Sequence, residues 1–336
     1  MKKYKVTVIG ARGYVGNELL PLLGRHENIE ISAVSSRELA GQVLYQHIKG
    51  IQDKSLQFES IASSDIKDKE HIYSSDIFFL ALPDGLAKDY VKSIQSLGSL
   101  RKNKNQPIII DISADHRFSP EWIYGLPELD FINLTNAKKI ANPGCYATAC
   151  MLGLAPLKEK IINCPNAFGV SGFSGAGKTP SDKNNLELLK DNLMPYKLAG
   201  HKHELEVSHH LGRQINFMPH VFSGFRGLSV TLNLDIDMTL SKEYIQKLYT
   251  DYYSNHHQII VTDDVPQLRD IKNNAGAIIG GFNVDTRSKH NMSNVRIVVV
   301  LDNLLKGAAS QAIQNMNLAL GLSSLTGLKH LLEFAS

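Results

Sequence analysis

Lys5-Val6-Thr7-Val8-Ile9-Gly10-Ala11-Arg12-Gly13-Tyr14-Val15-Gly16 is a short β-branched run followed at once by three glycines spaced three apart. The run from Lys5 to Ile9 predicts a strand, and the stretch from Asn17 to Leu23 predicts a helix. Glycines at this junction let the backbone turn sharply and approach a pyrophosphate, whose charge the helix N-terminus meets. Outward from this unit the rhythm repeats. Ile29 to Ser35, Ile77 to Leu82 and Ile108 to Ile112 are further short apolar or β-branched runs, separated by helix-compatible stretches. Such alternation implies an α/β architecture, a doubly wound parallel sheet with crossover helices.

The end of the second run selects the cofactor. Proteins that choose NAD commonly place Asp or Glu there to bind the ribose 2′-hydroxyl, whereas this chain has Ser35-Ser36-Arg37. Two hydroxyls and a guanidinium suit a 2′-phosphate, so NADP(H) is the expected cofactor; a solvent-facing arginine is the alternative reading of Arg37. The expected cofactor contacts are Gly10, Arg12, Gly13, Tyr14, Val15 and Gly16 in the turn, Ser35, Ser36 and Arg37 at the end of the second run, and Leu82 and Pro83 at the end of the third.

At 336 residues the chain exceeds one ordinary core, and two domains are expected. Its 36 basic and 33 acidic residues are spread without a basic block, which points away from nucleic acid and anionic membranes. Three cysteines cannot make a disulfide framework, and no apolar run approaches the ~20 residues needed to cross a bilayer. The N-terminus lacks a secretory signal, so a cytoplasmic location is expected. Cys150 and Cys164 read as core residues.

From Ala167 onward the texture changes to longer alternating strands, such as Phe225 to Leu234 and Val295 to Leu301, with helices expected from Ser241 to Tyr253 and from Lys306 to Leu320. A second sheet, mixed or antiparallel, follows. Gly172-Phe173-Ser174-Gly175-Ala176-Gly177-Lys178-Thr179 matches the phosphate-binding G-x-x-x-x-G-K-[ST] pattern. A P-loop launches a sturdy helix within a parallel sheet, but Pro180 to Asn185 is turn chemistry and the neighbouring strands look antiparallel. The better account is a glycine-rich loop that lets backbone approach the cofactor or substrate, with Ser174, Gly175 and Asn303 as expected cofactor-side contacts. The segments Asp182 to Asn185 and Asp270 to Gly276 read as connectors or active-site loops.

Asn142-Pro143-Gly144-Cys145-Tyr146-Ala147-Thr148 puts one cysteine where a helix should begin. Unpaired N–H groups and the helix dipole there favour a thiolate. Gly200-His201-Lys202-His203-Glu204-Leu205-Glu206 packs two imidazoles and two carboxylates into seven residues. A histidine exchanges protons near neutral pH and a carboxylate fixes its orientation, so His201, His203 and Glu206 are the candidate partners of Cys145. H-x-H with distant carboxylates is nonspecific for zinc, and no metal is expected. His209 and His210 read as solvated or capping residues. Arg117, in Asp115-His116-Arg117 after the fourth run, and Arg226 are candidate anchors for a substrate carboxylate or phosphate, and Ser113 and Asn142 are further candidate substrate contacts; each arginine is equally readable as a structural ion pair.

These residues together closely resemble the N-acetyl-gamma-glutamyl-phosphate reductase family of arginine biosynthesis, within the aspartate-semialdehyde dehydrogenase superfamily. The motifs are Ala141 to Ala149 closing with Leu154-Ala155-Pro156, Gly10 to Gly16, Tyr124 to Glu128, Val170 to Lys178, Phe217 to His220 and Asp302 to Ala309. The resemblance implies a Rossmann-type sheet plus an α+β catalytic domain with a mixed sheet, residues 1–144 and 308–336 forming the NADP-binding domain and 145–307 the catalytic and oligomerisation domain. It implies Cys145 as nucleophile, His201 as acid/base that protonates an oxyanion and later recovers the proton, His203 and Glu206 in support, and a homodimer or homotetramer. The implied reaction is NADPH-dependent conversion of N-acetyl-gamma-glutamyl phosphate to N-acetylglutamate 5-semialdehyde and phosphate through a thioacyl enzyme. Reductases of aspartyl phosphate or of a carrier-bound aminoadipyl or glutamyl phosphate, and a non-catalytic NADP-binding redox sensor, are the alternatives. Two departures stand out: Asp84 in Pro83-Asp84-Gly85 where the family commonly has His, and no proline in His201 to Val207.

Overall fold

Residues 3–51, 53–101, 105–129, 132–285 and 292–332 are described in a computed structural model of the chain. The first stretch runs β1 (Tyr4–Ile9), α1 (Tyr14–Arg25), β2 (Ile29–Ser35), β3 (Phe58–Glu59), α2 (Glu70–Tyr73), β4 (Ile77–Leu80), α3 (Ala87–Leu100), β5 (Ile108–Asp111), β6 (Ile123–Tyr124) and β7 (Lys139–Ala141). Then come α4 (Cys145–Leu154), β8 (Asn166–Gly172), α5 (Leu186–Leu189), β9 (Leu193–Pro195), α6 (Lys202–Leu211), β10 (Asn216–Phe222) and β11 (Leu228–Ile236). The chain continues with α7 (Lys242–Tyr252), β12 (Ile259–Val261), α8 (Leu268–Ile271), β13 (Ala277–Asp285), β14 (Ser293–Leu301) and α9 (Ala309–Ala319). Two compact units result: Met1–Pro127, Phe131–Pro143 and Ala308–His330 in one, Glu128–Asp130, Gly144–Gly307 and Leu331–Ser336 in the other.

The first unit holds a seven-stranded sheet in the order β3-β2-β1-β4-β5-β7-β6, with every pairing parallel. Its central strands are apolar at consecutive positions because both faces are covered; Val6, Val8 and Ile9 are fully buried. β2 and β4 flank β1, so the strand order reverses there, and the crevice at such a reversal is where open α/β sheets bind ligands. α9 packs on α1. At the end of α1, His26 Nε2 pairs with Asn317 Oδ1 at 2.9 Å, while its Nδ1 accepts from Asn28 N–H at 3.2 Å. Burial lowers the His26 pKa, so the ring stays neutral and Nε2–H is the donor.

The second unit holds a seven-stranded mixed sheet in the order β12-β13-β14-β11-β8-β10-β9. β11 is antiparallel to β8, as the reading of the glycine-rich loop expects, but β10 is parallel to β8 from Asn216↔Asn166 to Phe222↔Gly172. The sequence does not separate these cases, because a strand's alternation is the same whichever way its neighbour runs. α4 packs against β11 and β14.

Several boundaries move for local reasons. β11 starts at Leu228, not Phe225, because the Gly224 and Phe225 carbonyls accept from Phe173 and Ser174 N–H and Gly227 adopts φ +105°. α9 starts at Ala309, not Lys306, because Asp302 Oδ1 holds the Leu304 and Leu305 N–H groups in a turn. α4 ends at Leu154 and continues as a 3-10 turn from Ala155 to Lys160, since Pro156 lacks the N–H an α-helix needs. Cys150 is buried, but Cys164, expected in the core, is exposed on the loop before β8.

Candidate active site

The Gly144 turn aims Cys145. Gly144 is extended (φ −77°, ψ 148°) and caps α4 without any side-chain cap, which makes Cys145 the first helical residue. Every later residue of α4 is buried, whereas Cys145 is partly exposed. Two bonds fix the turn: Gly144 N–H donates to Glu206 Oε1 at 2.8 Å, and Thr148 Oγ1 donates to the Gly144 carbonyl at 3.1 Å. Behind the nucleophile the chain passes so closely at Gly307 that a Cβ there would lie 2.6 Å from the Cys145 Cβ.

His201 is the N-cap of α6, and its Nδ1 accepts from His203 N–H at 3.2 Å. A neutral ring in this arrangement carries its proton on Nε2. Burial first, then the ammonium groups of Lys202, Lys197 and Lys183, pull the His201 pKa down to about 4, so the ring is neutral at physiological pH. The His203 ring lies 4.9 Å from that of His201 and 5.9 Å from that of Tyr146. One cavity of about 170 Å³ is lined by Cys145, His201, His203, Ser171, Tyr196 and Lys183 among others. Cys145, His201 and His203 are thus brought together, and Glu206, 1% exposed, reaches the nucleophile through the Gly144 amide. His209 is exposed and His210 partly so, in the last turn of α6.

The turn from Gly10 to Gly16 joins β1 to α1 at the strand-order reversal. Gly10 has φ +83° and a Cβ there would lie 2.5 Å from the Ala81 carbonyl oxygen, so no other residue fits. Around Gly13 a Cβ would meet nothing within 4 Å, and α1, starting at Tyr14 and Val15, has no side-chain cap and no acid in its first turn. Open backbone donors at a helix start fit a pyrophosphate. Ser35 ends β2, Ser36 follows, Arg37 is exposed, and Arg12 ion-pairs with Glu38; hydroxyls and guanidinium groups gathered there fit a 2′-phosphate. Leu82 and Pro83 follow β4. Asp84 then accepts from Ala114 N–H at 3.0 Å, while Asp115 accepts from Gly85 and Ala87 N–H at 2.6 and 3.0 Å. The unexpected Asp84 is therefore half of a reciprocal clasp between the loops after β4 and β5.

The proposed substrate contacts of this unit are already engaged. Ser113 donates to the buried Asp111, which also pairs with His116 at 2.6 Å. Arg117 donates to the carbonyls of Asn142 and Ile112 at 2.9 and 3.1 Å. Asn142 is fully buried between the Ala308 carbonyl and the Asn315 amide. In the other unit, Asn303 bonds Gly227 N–H and Ser174 Oγ at 2.8 and 2.9 Å, locking the glycine-rich loop, while Gly175 lines the Cys145 cavity. Arg226, expected to hold a substrate anion, is drawn instead to the fully buried Asp302 at 3.3 Å and to Asn273 at 2.7 Å, and does not line the cavity. Lys183 and Tyr196 were not foreseen as site residues. The only signal was the position of Lys183 in a segment, Asp182 to Asn185, read as a connector or active-site loop.

In sequence and in fold the chain is similar to known proteins. Residues 5–137 match the family profile "Semialdehyde dehydrogenase, NAD binding domain" and residues 145–303 the profile "Semialdehyde dehydrogenase, dimerisation domain". The chain is 45% identical over 323 residues to an N-acetyl-gamma-glutamyl-phosphate reductase of Xanthomonas campestris pv. campestris (strain B100), covering 96% of this chain and 98% of that one. Among solved structures, aspartate semialdehyde dehydrogenase II of Vibrio cholerae, complexed with ASA, aligns with a TM-score of 0.74 at 18% identity, over 96% of this chain and 99% of that one. The aspartate semialdehyde dehydrogenase of Candida albicans with NADP aligns with a TM-score of 0.71 at 19% identity, over 95% and 99%.

Proposed function

The chain belongs to the N-acetyl-gamma-glutamyl-phosphate reductase family, and from that membership we propose a residue-level account of how it converts N-acetyl-gamma-glutamyl phosphate to N-acetylglutamate 5-semialdehyde and phosphate in arginine biosynthesis. The observation that carries the account is a cavity lined both by Cys145, first residue of α4, and by a neutral His201 of fixed tautomer.

Cys145 Sγ attacks the acyl carbon, the bond from that carbon to the phosphate oxygen breaks, and phosphate leaves with the electron pair, giving a thioester. Gly10 to Gly16 would hold the pyrophosphate of NADPH and Arg12, Ser35, Ser36 and Arg37 its 2′-phosphate, and the cofactor so bound would supply the hydride that reduces this thioester. The oxyanion so formed accepts a hydrogen bond from His201 Nε2–H. Since His201 is uncharged, it serves as an oriented donor and the full protonation implied by the resemblance is not needed. Collapse breaks the carbon–sulfur bond, returns the electron pair to Cys145 and frees the aldehyde. His203 contributes through the backbone N–H that sets the His201 tautomer, and Glu206 through the Gly144 turn. Residues 1–144 and 308–336 are assigned to the cofactor and 145–307 to the chemistry.

The test follows NADP⁺ reduction with phosphate and N-acetylglutamate semialdehyde. Wild type turns over and Cys145→Ser falls by roughly 10³-fold or more, as for loss of other covalent nucleophiles. Undiminished turnover of Cys145→Ser ends the covalent mechanism. Among the described residues no helix is long and apolar enough to cross a membrane. The match of residues 145–303 to a dimerisation-domain profile supports a homo-oligomer, which we propose together with a cytoplasmic location.

A further inference from the structure

We infer that Lys183 is the cation that receives the phosphoryl group of the substrate, in the cavity of Cys145. This rests on the reductase reading above, since only an acyl phosphate brings a phosphoryl group to that thiol. Lys183 lies in the short turn Asp182–Asn184, whose shape is set by Asn184: its Nδ2 donates to the Gly177 and Thr179 carbonyls at 2.9 and 2.7 Å and its Oδ1 accepts from Ser181 N–H at 2.8 Å. The Lys183 ammonium sits 5.1 Å from the centre of the Tyr196 ring, and that ring lies 5.7 Å from the ring of His201. A cation so placed is held by an aromatic face and faces the reacting groups. No carboxylate among the described residues pairs with Lys183. The arginines are spent elsewhere: Arg226 on Asp302 and Asn273, Arg117 on two backbone carbonyls.

Electrostatics agree. Lys183, Lys197 and Lys202 all press on the proton affinity of His201, so positive charge converges where an anion has to depart. Lys202 also lines the cavity but is exposed, and Lys197 is exposed and does not line it; Lys183 is half-buried, packed on Tyr196 and part of the lining, which favours it as the phosphoryl contact.

The assay is the oxidative direction with phosphate varied and NADP⁺ and N-acetylglutamate semialdehyde saturating. Lys183→Met raises the KM for phosphate about tenfold to a hundredfold, the range of a lost charge-assisted contact, with the aldehyde KM and kcat within about twofold. Lys183→Arg recovers most of the phosphate affinity. Independently of turnover, and with each protein compared with its own rate in the absence of phosphate, inorganic phosphate slows alkylation of Cys145 by iodoacetamide in the wild type and not in Lys183→Met. An unchanged phosphate KM, a rise in the aldehyde KM instead, or a fall in kcat alone overturns the inference. If the wild type shows no phosphate-dependent reduction of NADP⁺, the reductase reading fails, and the alkylation comparison still decides whether Lys183 binds phosphate.

Discussion

His201 shows how a single residue's environment sets its chemistry. Its pKa of about 4 lies below the ordinary 6.5 because burial and three ammonium groups disfavour the imidazolium. The folded state therefore takes up this proton less readily than the unfolded chain. Stability from this group is complete above pH 6.5 and is lost as pH falls toward 4. The same sign holds for catalysis: the neutral donor persists through pH 5, and the acid limb of kcat/KM attributable to His201 lies near 4. Titration of the His201 ring by NMR checks this; a midpoint near 6.5 refutes it, and Lys202→Met moves the midpoint upward. At this scale the sequence was legible where function is local. Cys145 after Pro143-Gly144 declares itself because turn and helix start are encoded within four residues. Lys183 does not, because nothing near it in the chain says that Tyr196 and His201 will face it.

Among the elements, those whose signal is a backbone requirement were readable: β1 with its glycine turn and α1, and the run of β2, β4 and β5. Those whose ends depend on distant partners were not. β11 is shortened by the loop it bonds, and β10 pairs parallel to β8 across some 50 residues of chain. A short segment around Glu128 shows the same dependence. The Glu128 carboxylate is fully buried and accepts from Lys306 Nζ and Gln258 Nε2, both at 2.5 Å, and Lys306 is fully buried too. Burial pulls the Lys306 pKa down and the Glu128 charge opposes that pull. Removing one partner leaves the other charge stranded, so Lys306→Met costs about 3–5 kcal/mol. Urea unfolding measures this, and Lys306→Met combined with Glu128→Gln is expected to recover part of the loss; a double variant no more stable than the single one denies the pair its role.

For the molecule as a whole, the mixed sheet leaves one face of its central strands incompletely covered. Phe168, 38% exposed, stands on that face beside Met218 on β10 and Thr231 on β11. With the dimerisation profile covering 145–303, this face is where a second copy is expected to pack. Phe168→Glu is expected to lower the mass found by analytical ultracentrifugation, and an unchanged mass refutes this contact. The division of the chain into units has a consequence for synthesis. The unit that begins with β1 is closed by Ala308–His330, which supplies the Asn317 that satisfies His26 and the Asn315 that satisfies the buried Asn142. On the ribosome the strands of the nucleotide-binding half thus emerge before the mixed-sheet unit, and their buried polar groups wait for their partners until that unit has been made.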